Sequence, residues 1–360
     1  MNLENKEKLL VFFSFNEIPN KKQEAVLNVI EDFSISNFLK NPKATNLLSQ
    51  EEYHKLVENF DERALDSAIE NMEKSEIKIL TIFSKDYPEK LIDLEDRPLI
   101  LYAKGDLGLL KKKGLGVVGT RMPTNYGKIV TENFVEKLAR SGLVIVSGLC
   151  YGVDEIAHKK TLQVGGKTIA VVGSGFNNIY PSTNTELSKE IARDGLLLSE
   201  YPPSFRPKRY TFPLRNRIIA GLSDGVLIVE AGLKSGTIHT KEYAMEYGKD
   251  IFAVPGNVTN PKSELTNTII KAGQAECVLS ADDIIEYYGL QKQAKVNAFV
   301  SLNFDEKKIV DLLADGEKDF DYLAEKSKIS VNILNSCLTT LEIRGLIRRL
   351  PAHCYSLIGK

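Results

Sequence analysis

Six short apolar runs, each unbroken rather than alternating, recur at regular intervals: LGVVG (115–119), LVIVSG (143–148), TIAVVG (168–173), LLLSE (196–200), GVLIVEA (225–231) and DIFAVPG (250–256). A strand buried on both faces reads this way, whereas a strand with one face in water alternates. Helical spacing fills the gaps, at 129–138, 156–162 and 183–191, the last opening with a predicted capping box of Thr183 and Glu186. Strand and helix alternating at this length predict an α/β fold, an extended Rossmann-like sheet of mainly parallel strands.

The rest of the chain is organised around that sheet. Residues 1–75 carry apolar positions at helical spacing, broken at Pro19 and Pro42, with 9 Lys and Arg against 14 Asp and Glu. They predict a small acidic helical domain, a poor phosphate binder by itself and therefore a covering or interaction module. Two β-type runs at 79–83 and 99–103 flank a turn at Tyr87 and Pro88, so the central domain, 77–289, gains extra strands at its start. After a linker at 290–302, residues 303–360 pattern as three helices (305–313, 320–326, 331–343) and two β-like pieces (346–350, 353–358). That is a winged-helix-like domain. Its third helix carries a single arginine, Arg344, at its end, and the domain balances 9 basic against 9 acidic residues. Duplex reading needs more positive charge, which favours a protein-contact role for this module.

A net charge of −1 excludes a bulk polyanion binder, so any nucleic-acid site must be a local patch. One stretch fits. YPPSFRPKRYTFPLRNR (201–217) holds five basic residues, four aromatics and no carboxylate. Cations that track phosphates, interleaved with rings on which unpaired bases stack, are what a single strand requires. The competing reading is a proline-pinned loop with a solvated basic face.

Ligands of an open α/β sheet bind at the carboxyl ends of its strands. Here those ends carry Gly119-Thr120-Arg121, Ser147-Gly148, Gly173-Ser174-Gly175, Ser235-Gly236-Thr237 and Pro255-Gly256-Asn257. Glycine lets a backbone approach a phosphate, and the helix that follows supplies unpaired amides. Arg121, directly after a strand, is a fixed cation able to take a phosphate with two hydrogen bonds. Arg215, Asn216 and Arg217 are read as opening the next helix and entering the same rim.

Catalytic readings find little support. GKT at 166–168 precedes a strand and lacks the first glycine of a phosphate loop, GSGFNN lacks the third glycine of a dinucleotide fingerprint, and no GxSxG elbow is present. Asp154 and His158 stand four apart on a helix, where Asp154 as a cap and a packed His158 outweigh half a metal site. The four cysteines, Cys150, Cys277, Cys337 and Cys354, form no CxxC pair and read as reduced thiols. No cofactor or metal is expected. The N-terminal apolar run is too short and too charged in its flanks for a signal peptide, and no 18-residue apolar window exists, which predicts a cytoplasmic protein without a membrane span.

Six ordered motifs, VVGTRMPTNYG (117–127), SGLCYGVDEIAH (147–158), TIAVVGSGFNNIYPSTN (168–184), SEYPP (199–203), FPLRNRIIAGLSDGVLIVEAGLKSGT (212–237) and IFAVPG (251–256), make the chain similar to the DprA/Smf family of DNA-processing proteins. The resemblance is strong from about 79 to 285. It implies single-stranded DNA binding without sequence preference, homodimerisation, and loading of the recombinase RecA onto incoming strands during natural transformation. It further implies that Arg121, Lys208, Arg209, Phe212, Arg215 and Arg217, with Asn216 among them, contact DNA, while Gly119, Ser147, Gly148, Gly173, Gly175, Ser235 and Gly236 line the phosphate path. Departures from the family pattern fall at Cys150, His239, Lys241, Leu265 and Gln274. Two other function classes remain open at this level. One is a nucleotide-cleaving phosphoribohydrolase with Glu230 acting on the ribosyl bond, and the other is a scaffold that binds proteins through its end domains.

Overall fold

The computed structural model describes residues 3–290, 302–343, 345–350 and 353–357. Residues 291–301 of the expected linker at 290–302, the arginine at 344 and the last residue of the expected second wing strand, 358, lie outside the described residues. The chain divides into two compact units, residues 1–292 and 293–360.

In the first unit, six helices precede the sheet: Asn5–Phe15, Asn20–Leu27, Ile35–Leu39, Pro42–Thr45, Gln50–Asn59 and Glu62–Lys74. Their starts are written locally, with a Ser49/Glu52 capping box on the fifth and Asp61 accepting from the Ala64 amide on the sixth. Leu65, Ile69 and Met72 form the buried stripe of that last helix. The helices close over Leu9, Phe12, Phe13, Phe38 and Leu56, and the same apolar cluster takes in Ile79, Ile100 and Tyr102 of the first two strands and Leu99 just before the second. Each such side chain contributes about 1.5–3 kcal/mol on burial, so the helical layer is fastened to the sheet by its core.

The sheet has nine strands: β1 Lys78–Thr81, β2 Ile100–Gly105, β3 Gly114–Val118, β4 Val144–Ser147, β5 Thr168–Val172, β6 Leu196–Ser199, β7 Gly225–Ile228, β8 Asp250–Ala253 and β9 Glu276–Cys277. Their order is β1-β2-β6-β5-β4-β3-β7-β8-β9. All neighbours from β6 to β9 pair in parallel, while β1 with β2 and β2 with β6 pair antiparallel. The unbroken apolar runs follow from two covered faces. Val144, Val146, Val226 and Ile228 meet Ile218, Ile219 and Ala244 on one side; Ile145, Leu115 and Leu227 meet Phe134, Leu138, Val153 and Ile284 on the other.

Two local expectations are corrected. Thr183 sits in a 3-10 turn, Ser182–Asn184, and the helix Thr185–Asp194 starts after it without a side-chain cap, so no Thr183/Glu186 box forms. The Asn184 amide group that would otherwise cap is turned away to donate to the Leu149 carbonyl at 3.1 Å. The next helix runs Thr211–Leu222, which puts Arg215, Asn216 and Arg217 in its second turn and not at its opening. Pro213 is tolerated in the first turn because its missing N–H has no intrahelical partner there.

The second unit has helices Phe304–Leu313, Phe320–Ser327 and Val331–Ile343 and a three-stranded sheet of β10 (Lys318–Asp319), β11 (Ile347–Leu350) and β12 (Cys354–Leu357), in the order β10-β12-β11. Its core is Ile309, Leu313, Leu323, Leu334, Leu338, Leu341 and Ile347. This is a winged helix. Asn332, Asn335, Ser336 and Thr339 occupy the exposed face of its third helix.

Candidate nucleic-acid interface

The winding of the sheet reverses between β3 and β7, and the crevice at their carboxyl ends is the position where such sheets bind ligands. The Thr120 amide donates to the Glu230 carbonyl at 2.6 Å and ties the two turns together. Gly119 is required between them, because a Cβ there would run into Val153 and the Glu230 carbonyl.

Beyond that tie the chain turns outward and exposes Arg121. Its guanidinium stands 5.8 Å from the centre of the Phe212 ring, and Phe212 packs at 5.4 Å against Tyr180. Among the described residues Arg121 has no carboxylate partner. Tyr180 and Tyr210 keep about half their surface, at 48% and 53%. Lys208 lies 5.1 Å from the Phe205 ring and 5.9 Å from Tyr210, and Arg206 and Arg209 are exposed without a partner among the described residues. The exposed rings of Tyr180 and Tyr210 beside Arg121, Arg206 and Arg209, with Lys208 held by Glu17, offer what bases and phosphates need. On the helix that carries Phe212, Asn216 donates to the Gly236 carbonyl at 3.3 Å, and Ser235 and Gly236 open the helix Thr237–Glu246 with nothing over Gly236.

Several residues expected at the rim are placed inside the protein. Arg215 is 3% exposed and donates to the carbonyls of Gly148 and Val171, with Nη2 3.4 Å from the Cys150 sulfur. Arg217 is 6% exposed, with Nε on the Asp96 carbonyl at 2.8 Å and Nη2 on Glu200 at 2.5 Å. Two apart on the helix, they leave it on different faces, Arg215 toward the carbonyls of Gly148 and Val171 and Arg217 toward the loops that hold Asp96 and Glu200, and neither guanidinium is free for a phosphate. The buried Ser147 hydroxyl donates to Val117 O at 2.6 Å, across the strand pair. Gly148 is capped by the Arg215 guanidinium. Gly173 and Gly175 admit protein: the first lies against Thr211 and Phe212, and the second against the carbonyls of Pro202 and Pro203, its own amide donating to Phe205 O at 3.0 Å. These two glycines seat the 201–212 segment on β5.

The remaining polar residues are also structural in placement. Glu230 is 1% exposed, and its carboxylate accepts from the Thr124 amide at 2.8 Å and the Thr124 hydroxyl at 2.6 Å, at the start of the helix Asn125–Arg140. A carboxylate held at a helix N-terminus in this way is not presented to a ribosyl bond, which disfavours the phosphoribohydrolase reading. Asp154 accepts from the Gly148 amide at 3.2 Å; burial raises its pKa, against the lowering effect of Arg215. It anchors the loop after β4, in place of the expected helix cap. His158 is fully buried, with Nδ1 2.7 Å from the Thr168 hydroxyl, and burial holds its pKa down to about 3. Sequence reasoning missed Tyr180, Glu17, Asp96 and Glu200. Only Tyr180 carried a signal, as a ring beside the rim motif GSGFNN.

The family model described as DNA recombination-mediator protein A matches residues 78–289, and the model of the DprA winged helix domain matches residues 298–353. The chain belongs to the DprA/Smf family. "DNA processing protein DprA" of Bacillus subtilis is 44% identical over 211 residues, covering 58% of this chain and 71% of that protein. "Protein Smf" of Escherichia coli is 37% identical and covers 81% of each chain. Among solved structures, DprA of Streptococcus pneumoniae superposes with a TM-score of 0.69 at 34% identity, over 79% of this chain and 98% of that one. DprA of Helicobacter pylori, described for its single-stranded DNA binding mode, gives a TM-score of 0.54 at 36% identity over 59% of this chain and 95% of that one. Among the described residues of this DprA/Smf member, no helix is long and apolar enough to cross a membrane.

Proposed function

We propose that this DprA/Smf member is a non-enzymatic, cytoplasmic protein that binds single-stranded DNA without sequence preference and acts as a recombination mediator. The observation that carries this reading is the outward-facing cluster of Arg121, Phe212 and Tyr180, continued by Lys208, Arg209 and Tyr210. Cations there neutralise phosphates and the rings stack bases of any identity, so affinity falls steeply with salt. The single-stranded DNA binding described for the Helicobacter pylori relative supports the same ligand. In this reading the protein works as a homodimer and delivers RecA to DNA taken up in transformation. Residues 1–75 and 303–360, which flank the DNA-binding domain, 77–289, in the sequence, serve as contact modules.

The test is fluorescence anisotropy of a labelled oligo-dT strand of a few tens of nucleotides at two salt concentrations, with wild type and Arg121→Ala. Tight, salt-sensitive wild-type binding with about a tenfold or greater loss in the variant, at an unchanged unfolding midpoint, is expected. Absence of wild-type binding, or equal binding by the variant, overturns the reading. RecA filament growth on strands precoated with single-strand binding protein, with and without this protein, tests the mediator step.

A further inference from the structure

We infer that the cleft between the turn after β3 and the turn after β8 receives a nucleobase of the bound single strand. This rests on the proposed single-stranded DNA binding and extends it beyond the basic segment. The cleft has a volume of about 640 Å³ and is lined by Thr124, Asn125, Tyr126, Pro255, Gly256, Asn257 and Asn260. That size falls within the range of small-molecule pockets, roughly 300–1,000 Å³.

Its chemistry suits a base and not a phosphate. No charged side chain lines it. The nearby Lys262 ammonium is committed to the Met122 carbonyl, and the buried Glu230 carboxylate beneath Thr124 would repel an anion. What the cleft offers is a ring and a set of neutral donors. Tyr126 is 47% exposed, and its hydroxyl donates to Pro255 O at 2.8 Å, which pins the ring across the cleft. A ring already fixed loses little freedom when a base stacks on it.

The asparagines are held in one sense as well. The Asn257 Oδ1 accepts from the Thr259 amide at 3.0 Å and its hydroxyl at 2.9 Å, and the Asn260 Oδ1 accepts from the Lys262 amide at 3.0 Å. Their Nδ2 groups, without a protein partner among the described residues, are therefore the ends left to donate. Base edges carry ring-nitrogen and carbonyl acceptors that match such donors. Continuity with the cationic rim comes from the chain itself: Arg121 stands in the turn after β3 and Tyr126 in the first turn of the helix it leads into, and five residues span at most about 18 Å. A strand held at Arg121 has a following base within reach of the cleft.

The experiment compares oligo-dT with an abasic strand of equal length, so that phosphates are constant and only bases differ. Wild type, Tyr126→Leu and Tyr126→Phe are titrated by anisotropy, with thermal unfolding as a control on the fold. Tyr126→Leu is expected to lose about fivefold or more on oligo-dT and nothing on the abasic strand, while Tyr126→Phe, which keeps the ring, retains most of the affinity. A strand carrying 5-iododeoxyuridine is expected to photocross-link to Tyr126. Equal losses on both strands, or wild-type affinity in Tyr126→Leu, overturn the cleft inference and leave the proposed function standing. Failure of the wild type to bind oligo-dT at all overturns both.

Discussion

Arg217 and Glu200 form an ion pair of 2.5 Å in which the two side chains keep only 7% and 12% of their surface. Asp96 adds a second carboxylate at 3.4 Å and its own carbonyl, so the guanidinium is enclosed by acceptors. The pair joins the helix Thr211–Leu222 to the loop after β6. Removing one partner strands the other charge in the interior, and Arg217→Ala is expected to cost about 3–5 kcal/mol in urea unfolding. DNA affinity per folded molecule should be nearly unchanged. A large loss of affinity at an unchanged midpoint would return Arg217 to the interface.

Gly148 and Arg215 depend on one another in the same interior. Arg215→Ala leaves the carbonyls of Gly148 and Val171 and the buried Asp154 without their cation, and Gly148→Ala drives a Cβ into the guanidinium. Each variant is expected to lose about 2–5 kcal/mol, and the double variant distinctly less than the sum, because both disturb one contact. Additive losses in chemical denaturation would show the two sites to be independent.

Glu17, in the turn before the second helix, pairs with Lys208 of the basic segment. The bond to Glu17 raises the Lys208 pKa, and a phosphate must displace that carboxylate to engage the ammonium. Both side chains are more than a third exposed, so the pair is worth at most about 1 kcal/mol. Glu17→Ala should therefore tighten oligo-dT binding by up to about fivefold at low salt, and the gain should shrink as salt rises. Anisotropy titrations at two ionic strengths read this directly; unchanged or weaker binding contradicts it.

His158 sets an acid limit on stability. Its folded pKa, about 3, lies below the ordinary value of 6.5, so between those limits the unfolded chain binds the extra proton. The stabilisation is complete above pH 6.5 and is lost as pH falls toward 3. From pH 7 to 5.5 the wild type should lose about 1 kcal/mol through this residue. His158→Gln should be less stable at pH 7 but should lack that part of the slope, as urea midpoints across the range would show.

Much of the architecture was legible in the sequence because burial on two faces writes unbroken apolar runs. All six runs became strands of one sheet, and the two early β-type runs joined its edge as β1 and β2. The winged helix was legible from its helical spacing, although the two-residue strand β10 left no pattern to read. The site was read less completely. A charged residue in a basic run looks the same whether its partner is a phosphate or a carboxylate far away in the chain. Arg217 finds Asp96, 121 positions earlier, and Lys208 finds Glu17, 191 positions earlier.

By itself the sequence determined the doubly wound order of elements, the glycines at the strand ends and the place of an arginine directly after β3, since these follow from local periodicity and turn chemistry. Only the tertiary structure decided which of the arginines face water. The fold encloses Arg215 among the carbonyls of Gly148 and Val171 and Arg217 between Asp96 and Glu200, while the tie between Thr120 and Glu230 turns Arg121 outward beside Phe212 and Tyr180. Burial is a property of the neighbours that the fold assembles, and those neighbours come from widely separated parts of the chain.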